Sequence, residues 1–121
     1  MAGSIHTWFA WVAIYLAGAS GLLALGYSVR KRPVDWVFRI AVGGSVVAML
    51  VQVGLGLIAF GEGLEPGSIH MFYGFVILLT LTFIYIYRIQ FEKRPTLYWG
   101  LALLFMMGLG LRGVANFGAS F

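Results

Sequence analysis

Four apolar stretches divide the chain, near positions 8–28, 37–60, 71–87 and 97–117, with short polar segments between them. Each is close to the ~20 residues a helix needs to cross ~30 Å of hydrocarbon. Inside them polar and apolar positions do not alternate; from Phe75 to Tyr87 the run is broken only by threonines. Alternation marks a transmembrane strand, so the pattern predicts helices. Four spans in 121 residues use almost the whole chain. The expected fold is an all-α membrane protein, with four transmembrane helices in one bundle that forms a single domain.

The pattern repeats. Gly-Ser-Ile-His occurs twice, ending at His6 and at His70, and each copy opens an apolar run. Each run leads to a basic turn, Lys31-Arg32-Pro33 or Lys93-Arg94-Pro95, and then to Gly-Leu-Gly-Leu at 54–57 or 108–111. The bundle therefore reads as two tandem helical hairpins, repeat 1 over residues 1–61 and repeat 2 over 67–121. Repeats of two spans share an orientation, so their symmetry axis lies along the membrane normal and both histidines fall at one depth.

Composition agrees with a membrane class. Hydrophobic residues make up 61% and charged residues 10%, against about a quarter charged in soluble domains, and the mean hydropathy is +0.94. The net charge of +4 is a topology signal. Arg30, Lys31, Arg32, Arg39, Arg88, Lys93 and Arg94, seven of the eight basic residues, flank the first and third loops, while the second carries only Glu62 and Glu65. The positive-inside rule then places both termini on the non-cytoplasmic side of the cell membrane. Trp8, Trp11, Trp36, Tyr98 and Trp99 stand near span ends, where aromatic rings prefer the headgroup boundary. This use of the basic residues gives no ground for a nucleic-acid partner. With no cysteine, disulfides, thiolate metal sites and covalent c-type haem attachment are excluded. The first span lacks a basic leader and a small-residue cleavage site, and it reads as a retained span.

His6 and His70 are the only histidines. A lone histidine at a span end is ordinarily a solvated interfacial residue, but two in one repeated context, at one depth, form a candidate pair of axial ligands to a haem. Spacings of three and four from His6 give Ala10, Ala13, Ala17, Gly21 and Ala24, and Gly74 follows His70 by four. Such stripes serve close helix packing, and a small residue one turn from a ligand also clears space for a flat macrocycle. Gly54, Gly56, Gly108 and Gly110 fall on the neighbouring helices at matching depth, where a porphyrin face would meet backbone. Zinc or copper suits the chain less, because two imidazoles leave positions unfilled. Met71, Met106 and Met107 are thioether candidates or plain packing residues.

Arg112 is the eighth basic residue, inside the fourth apolar run. An arginine there costs at least ~2.5 kcal/mol at the centre of a span, less toward its end, and usually has an anionic partner. It either snorkels, pairs with Glu62 or Glu65, or clamps a haem propionate in bidentate fashion, with Asn116 adding a hydrogen bond. Gln52 is expected in an interhelical hydrogen bond, with a quinone or haem edge as the alternative. Asp35 and Glu92 lie among basic residues and are expected in surface pairs.

Val51-Gln52-Val53-Gly54-Leu55-Gly56, a short loop, and Gly67-Ser68-Ile69-His70 opening the next span resemble one four-helix half of the haem A synthase family. The separation of His6 and His70 is similar to that within one such half. The resemblance implies a cytochrome b-like bundle in which His6 and His70 are the paired axial ligands. The chain departs from the family in having no cysteine pair, and in carrying Ala2 and Pro66 where the family has a carboxylate four residues before a ligand histidine. It thus implies haem binding rather than haem A synthesis. The expected function is a small membrane protein with one bis-histidine haem b, passing electrons within or to a membrane redox complex. It would be a subunit rather than a stand-alone enzyme, with the lipid bilayer, other membrane subunits and a quinone as its candidate partners. A cofactor-free accessory subunit of a respiratory or photosynthetic complex is the alternative, and a small four-helix exporter the second, although the first span lacks an embedded glutamate.

Overall fold

The computed structural model describes residues 1–121. Four helices are long and apolar enough to cross a membrane: α1 Ala2–Val29, α2 Trp36–Gly61, α3 Ser68–Ile86 and, after a short α4 at Arg88–Lys93, α5 Pro95–Ala115. The protein is a multi-pass membrane bundle. Two differences from the sequence pattern matter. Helices α1 and α3 start several residues before the apolar runs do, which puts His6 in the second turn of α1 and His70 in the first turn of α3. The basic segment after the third span forms α4, where the hydropathy pattern leaves a loop.

The helix starts follow from local chemistry. The Asp35 carboxylate accepts from the Phe38 amide at 3.0 Å and caps α2. Tyr27 donates to both of its oxygens, and Arg32 pairs with it at 3.3 Å. The Phe38 amide first, with Tyr27 and Arg32 after it, outweighs partial burial and holds this carboxyl below its ordinary value. At the matching point of the second hairpin no such cap exists, and Pro95 itself opens α5 with its preset φ and missing donor.

The four long helices go round the bundle in the order α1, α2, α3, α5. Helix α1 packs closely on both α2 and α5; α3 leans on α5 and meets α2 only slightly, and α1 and α3 do not approach each other backbone to backbone. Small residues allow the α1–α5 contact. A Cβ added at Gly21 would lie 3.2 Å from the Gly100 carbonyl oxygen, and one at Gly100 would lie 2.7 Å from Leu25 Cδ2. Without a hydrophobic force between helices in lipid, such close backbone approach is what holds the pair together. The packing reading of the Ala13–Ala17–Gly21–Ala24 stripe is therefore correct for its deeper part, since all four are buried. Met49, Leu103 and Met106 fill the centre. Ser45 donates to Leu16 O at 3.2 Å and to Ala41 O at 2.8 Å. By topology the basic segments share one end of the bundle. The two Gly-Ser-Ile-His segments, the acidic loop and residues 116–121 share the other.

Candidate functional site

His6 is the fifth residue of α1, and its ring turns toward α2. A carbonyl only accepts, so the 3.0 Å contact between His6 Nδ1 and Gln52 O is made by an Nδ1–H. Gln52 returns the bond, its Nε2 donating to His6 O at 2.8 Å. The two residues thus tie α1 to α2 in both directions, as the interhelical role expected for Gln52 requires. Gly56, one turn further, lies against the imidazole, and a Cβ there would come within 2.9 Å of His6 Cε1.

His70, third in α3, is held in the same chemical way by a different acceptor: its Nδ1–H donates to Gly113 O of α5 at 2.7 Å. The Phe117 ring meets it edge to face with centroids 5.1 Å apart. Both histidines are half-buried. Although α1 and α3 occupy opposite corners, the imidazoles converge between them, with centroids 6.0 Å apart and planes at 86°. With each Nδ1 occupied as a donor to backbone, the ring nitrogen left with a lone pair is Nε2 in both.

The glycines divide by role. Gly54, Gly74 and Gly108 are half-buried, and a Cβ at any of them would meet nothing within 4 Å, so each borders open space. Gly56 and Gly110 do not clear room for a macrocycle as their sequence context suggested. Gly56 receives the His6 ring, and a Cβ at Gly110 would meet Ile14 Cγ1 at 2.9 Å and Met49 Cε at 3.9 Å. A Gly-x-Gly pair on a helix puts its members about 200° apart, so one faces the partner helix and the other does not. Ala10, one turn below His6, is buried.

Arg112 is exposed at the end of α5, and the bundle's one ion pair is Arg32–Asp35, so no bond to Glu62 or Glu65 forms. It immediately precedes Gly113, the residue that holds His70. Asn116 spends its amide on Arg112 O at 2.8 Å, closing the helix end. Met106 is wholly buried, Met71 is exposed, and Met107 packs its Sδ against Gly18 of α1.

No group of three or more His, Cys, Asp or Glu side chains gathers anywhere in the bundle, and the two imidazoles are the only histidine side chains that meet. Two imidazoles by themselves would suit a planar tetradentate macrocycle, which needs only two further nitrogens from the protein. They do not fit bare tetrahedral zinc. Gln52 Oε1, beside His6, is buried with no hydrogen-bond partner in the protein. Two open clefts, about 500 Å³ beside Phe83, Phe91 and Tyr98 and about 650 Å³ beside Phe38, Arg39, Glu92 and Trp99, include no histidine.

Sequence reasoning missed the two carbonyls and Phe117. Every helical residue carries a carbonyl, and nothing in residue type marks which one a ring on another helix will reach. Compared with protein-family models, curated proteins and solved structures, the chain matches none.

Proposed function

We propose that the protein binds one haem b between His6 and His70 and passes electrons within or to a membrane redox complex. The observation that carries this reading is the convergence of the two imidazoles, each oriented by a backbone carbonyl so that Nε2 is its free nitrogen. Two metal–nitrogen bonds of about 2 Å each place paired nitrogens about 4 Å apart, as is typical of imidazole ligation. Ring centroids 6.0 Å apart come close to that separation plus the two ring radii and fall slightly short of it, so the rings would part a little to admit the group.

His6 and His70 would hold the haem, which would supply one-electron chemistry; two protein ligands would favour electron transfer over oxygen binding. The chain's own residues do the rest. Gln52 and Gly113 fix the rings, Gly56 seats the His6 imidazole, and Arg112, next to Gly113 in sequence, is the residue we assign to a propionate. The basic segments support a cell-membrane orientation with both termini, and hence the histidines, on the non-cytoplasmic side. Reporter fusions at the termini test that orientation, and a cytoplasmic signal from either overturns it.

The absorption spectrum of protein loaded with haem tests the function. A low-spin bis-imidazole spectrum is expected, with tight haem retention lost in both His6→Ala and His70→Ala. An unaltered spectrum in either variant rules out the shared site. The cofactor-free accessory subunit gains support from one observation: α3 buries only Ile77 and Ile84, leaving Phe72, Phe75, Leu79 and Phe83 on an exposed apolar face. A wild-type protein that binds no haem yet co-purifies in a larger complex would favour that reading.

A further inference from the structure

The two histidines are anchored unequally. His6 belongs to a helix with ten buried residues, is cross-linked to Gln52 by two hydrogen bonds and has Gly56 packed on its ring. His70 belongs to a helix with two buried residues. Its ring has one hydrogen bond, to Gly113, two positions before the end of α5, and one further aromatic neighbour besides His6, Phe117, beyond that end.

Past Phe117 the chain folds back across the start of α3. Gly118 N–H donates to Pro66 O at 2.6 Å, Ile69 N–H to Ala119 O at 3.0 Å, and Phe121 N–H to Ser68 Oγ at 2.9 Å. The Ile69 bond satisfies one of the free amides at the helix start. Phe121 also meets Phe72 edge to face at 6.0 Å. The crossing depends on glycine twice. Gly67 and Gly118 have φ of +86° and +85°, and a Cβ at Gly67 would lie 2.7 Å from Gly118 C and 2.8 Å from Ala119 N. Residues 116–121 are thus strapped to the four residues that precede His70, 66–69, with Phe117 resting on its ring.

We propose that this strap is the positioning element of His70 and makes it the exchangeable member of the pair: when the strap undocks, the His70 imidazole is released while His6 stays fixed, and the vacated position accepts a small neutral diatomic ligand. The second half of this proposal rests on the haem reading above; the first half does not. Segments that open first are those held by few buried contacts and by hydrogen bonds at the surface. The strap and the start of α3 meet that description, whereas the His6–Gln52 cross-link between packed helices does not. Ligand exchange here forms one iron–ligand bond and breaks one, with no change in electron count.

The test starts without cofactor. In cofactor-free protein in detergent, carbethoxylation of each histidine by diethyl pyrocarbonate is followed by mass spectrometry in wild type, Gly67→Ala and Phe117→Ala. Both strap variants should speed modification of His70 by about tenfold or more while His6 changes by less than about twofold. Phe117→Tyr, which keeps the ring, should restore the wild-type rate. The same proteins are then loaded with haem, reduced and exposed to carbon monoxide. Wild type and Phe117→Tyr should show no difference spectrum, and Phe117→Ala should show one at an unchanged melting temperature. Equal acceleration of both histidines, or of neither, overturns the strap. Selective acceleration of His70 in a protein that never gives a low-spin spectrum upholds the strap and overturns the haem reading instead. Carbon monoxide uptake by wild type equal to that of Phe117→Ala overturns the exchange step.

Discussion

The two hairpins carry the same sequence marks in the same order, yet they are built differently. In the first, α1 and α2 pack along their length and His6 is bonded to Gln52 in both directions. In the second, α3 leans on α5 with two buried residues, and His70 depends on the last turn of α5 and on Phe117 beyond it. The acceptors are not repeat equivalents. Gln52 stands two residues before Gly54, whereas Gly113 stands five after Gly108. The Lys-Arg-Pro turns differ too, one leading to a capped helix at Asp35 and the other placing proline as the first helical residue. A duplicated sequence thus fixes the polarity of its helices and the chemistry they present. It does not fix how firmly each copy is held, because that depends on which helix has two close neighbours.

The sharpest way to break the comparison is at Gly56. Gly56→Leu should push the His6 ring off Gln52 O, because even a Cβ would come within 2.9 Å of it. Haem retention should be lost almost completely while the protein still inserts, as read from absorbance per protein in the membrane fraction. Gly54→Ala, two residues away in open volume, should leave retention close to wild type. Equal loss in the two variants would show that the division between seating and open glycines is wrong.

Overpacking sharpens the contrast between α1 and α3. Gly100→Leu forces bulk against Leu25 and the α1 backbone and should cost on the order of 1–3 kcal/mol in unfolding measurements. Gly74→Leu, where nothing lies within 4 Å, should leave the stability of the cofactor-free protein within about 0.5 kcal/mol but impair haem loading. A smaller effect is expected at Arg112. If it faces a propionate, Arg112→Leu leaves negative charge near the iron less compensated, which favours the oxidised state, so the midpoint potential should fall. Arg30→Leu, exposed at the other end, should leave the potential unchanged, and an equal shift in both would assign Arg112 to the lipid interface.

The smallest effect belongs to the cap that only the first hairpin has. The Asp35 carboxyl sits below its ordinary value of 3.8, so its contribution is complete above that value and is lost as pH falls through the lower folded-state value. Asp35→Asn should slightly lower thermal stability near neutral pH and flatten the stability profile below about pH 4. A variant with the wild-type acid profile would show that the carboxylate does not set it.

By itself the sequence determined the membrane class, the four spans, the hairpin repeat and the presence of one histidine per repeat near one end. Those properties depend on hydropathy, length and identity, which are local. Gln52 and Arg112 were legible as polar residues inside apolar runs, because any such residue must find a partner or an exit. Only the tertiary structure decided that the imidazoles meet from opposite corners, that Gly56 seats a ring while Gly54 borders space, and that a backbone carbonyl from a different place in each hairpin orients each histidine. Those outcomes depend on helix rotation and register, set jointly by the small residues of the α1–α5 contact and by the glycines that let the chain cross back over α3. Backbone acceptors carry no signature in residue type, so their choice appears only when the helices are packed.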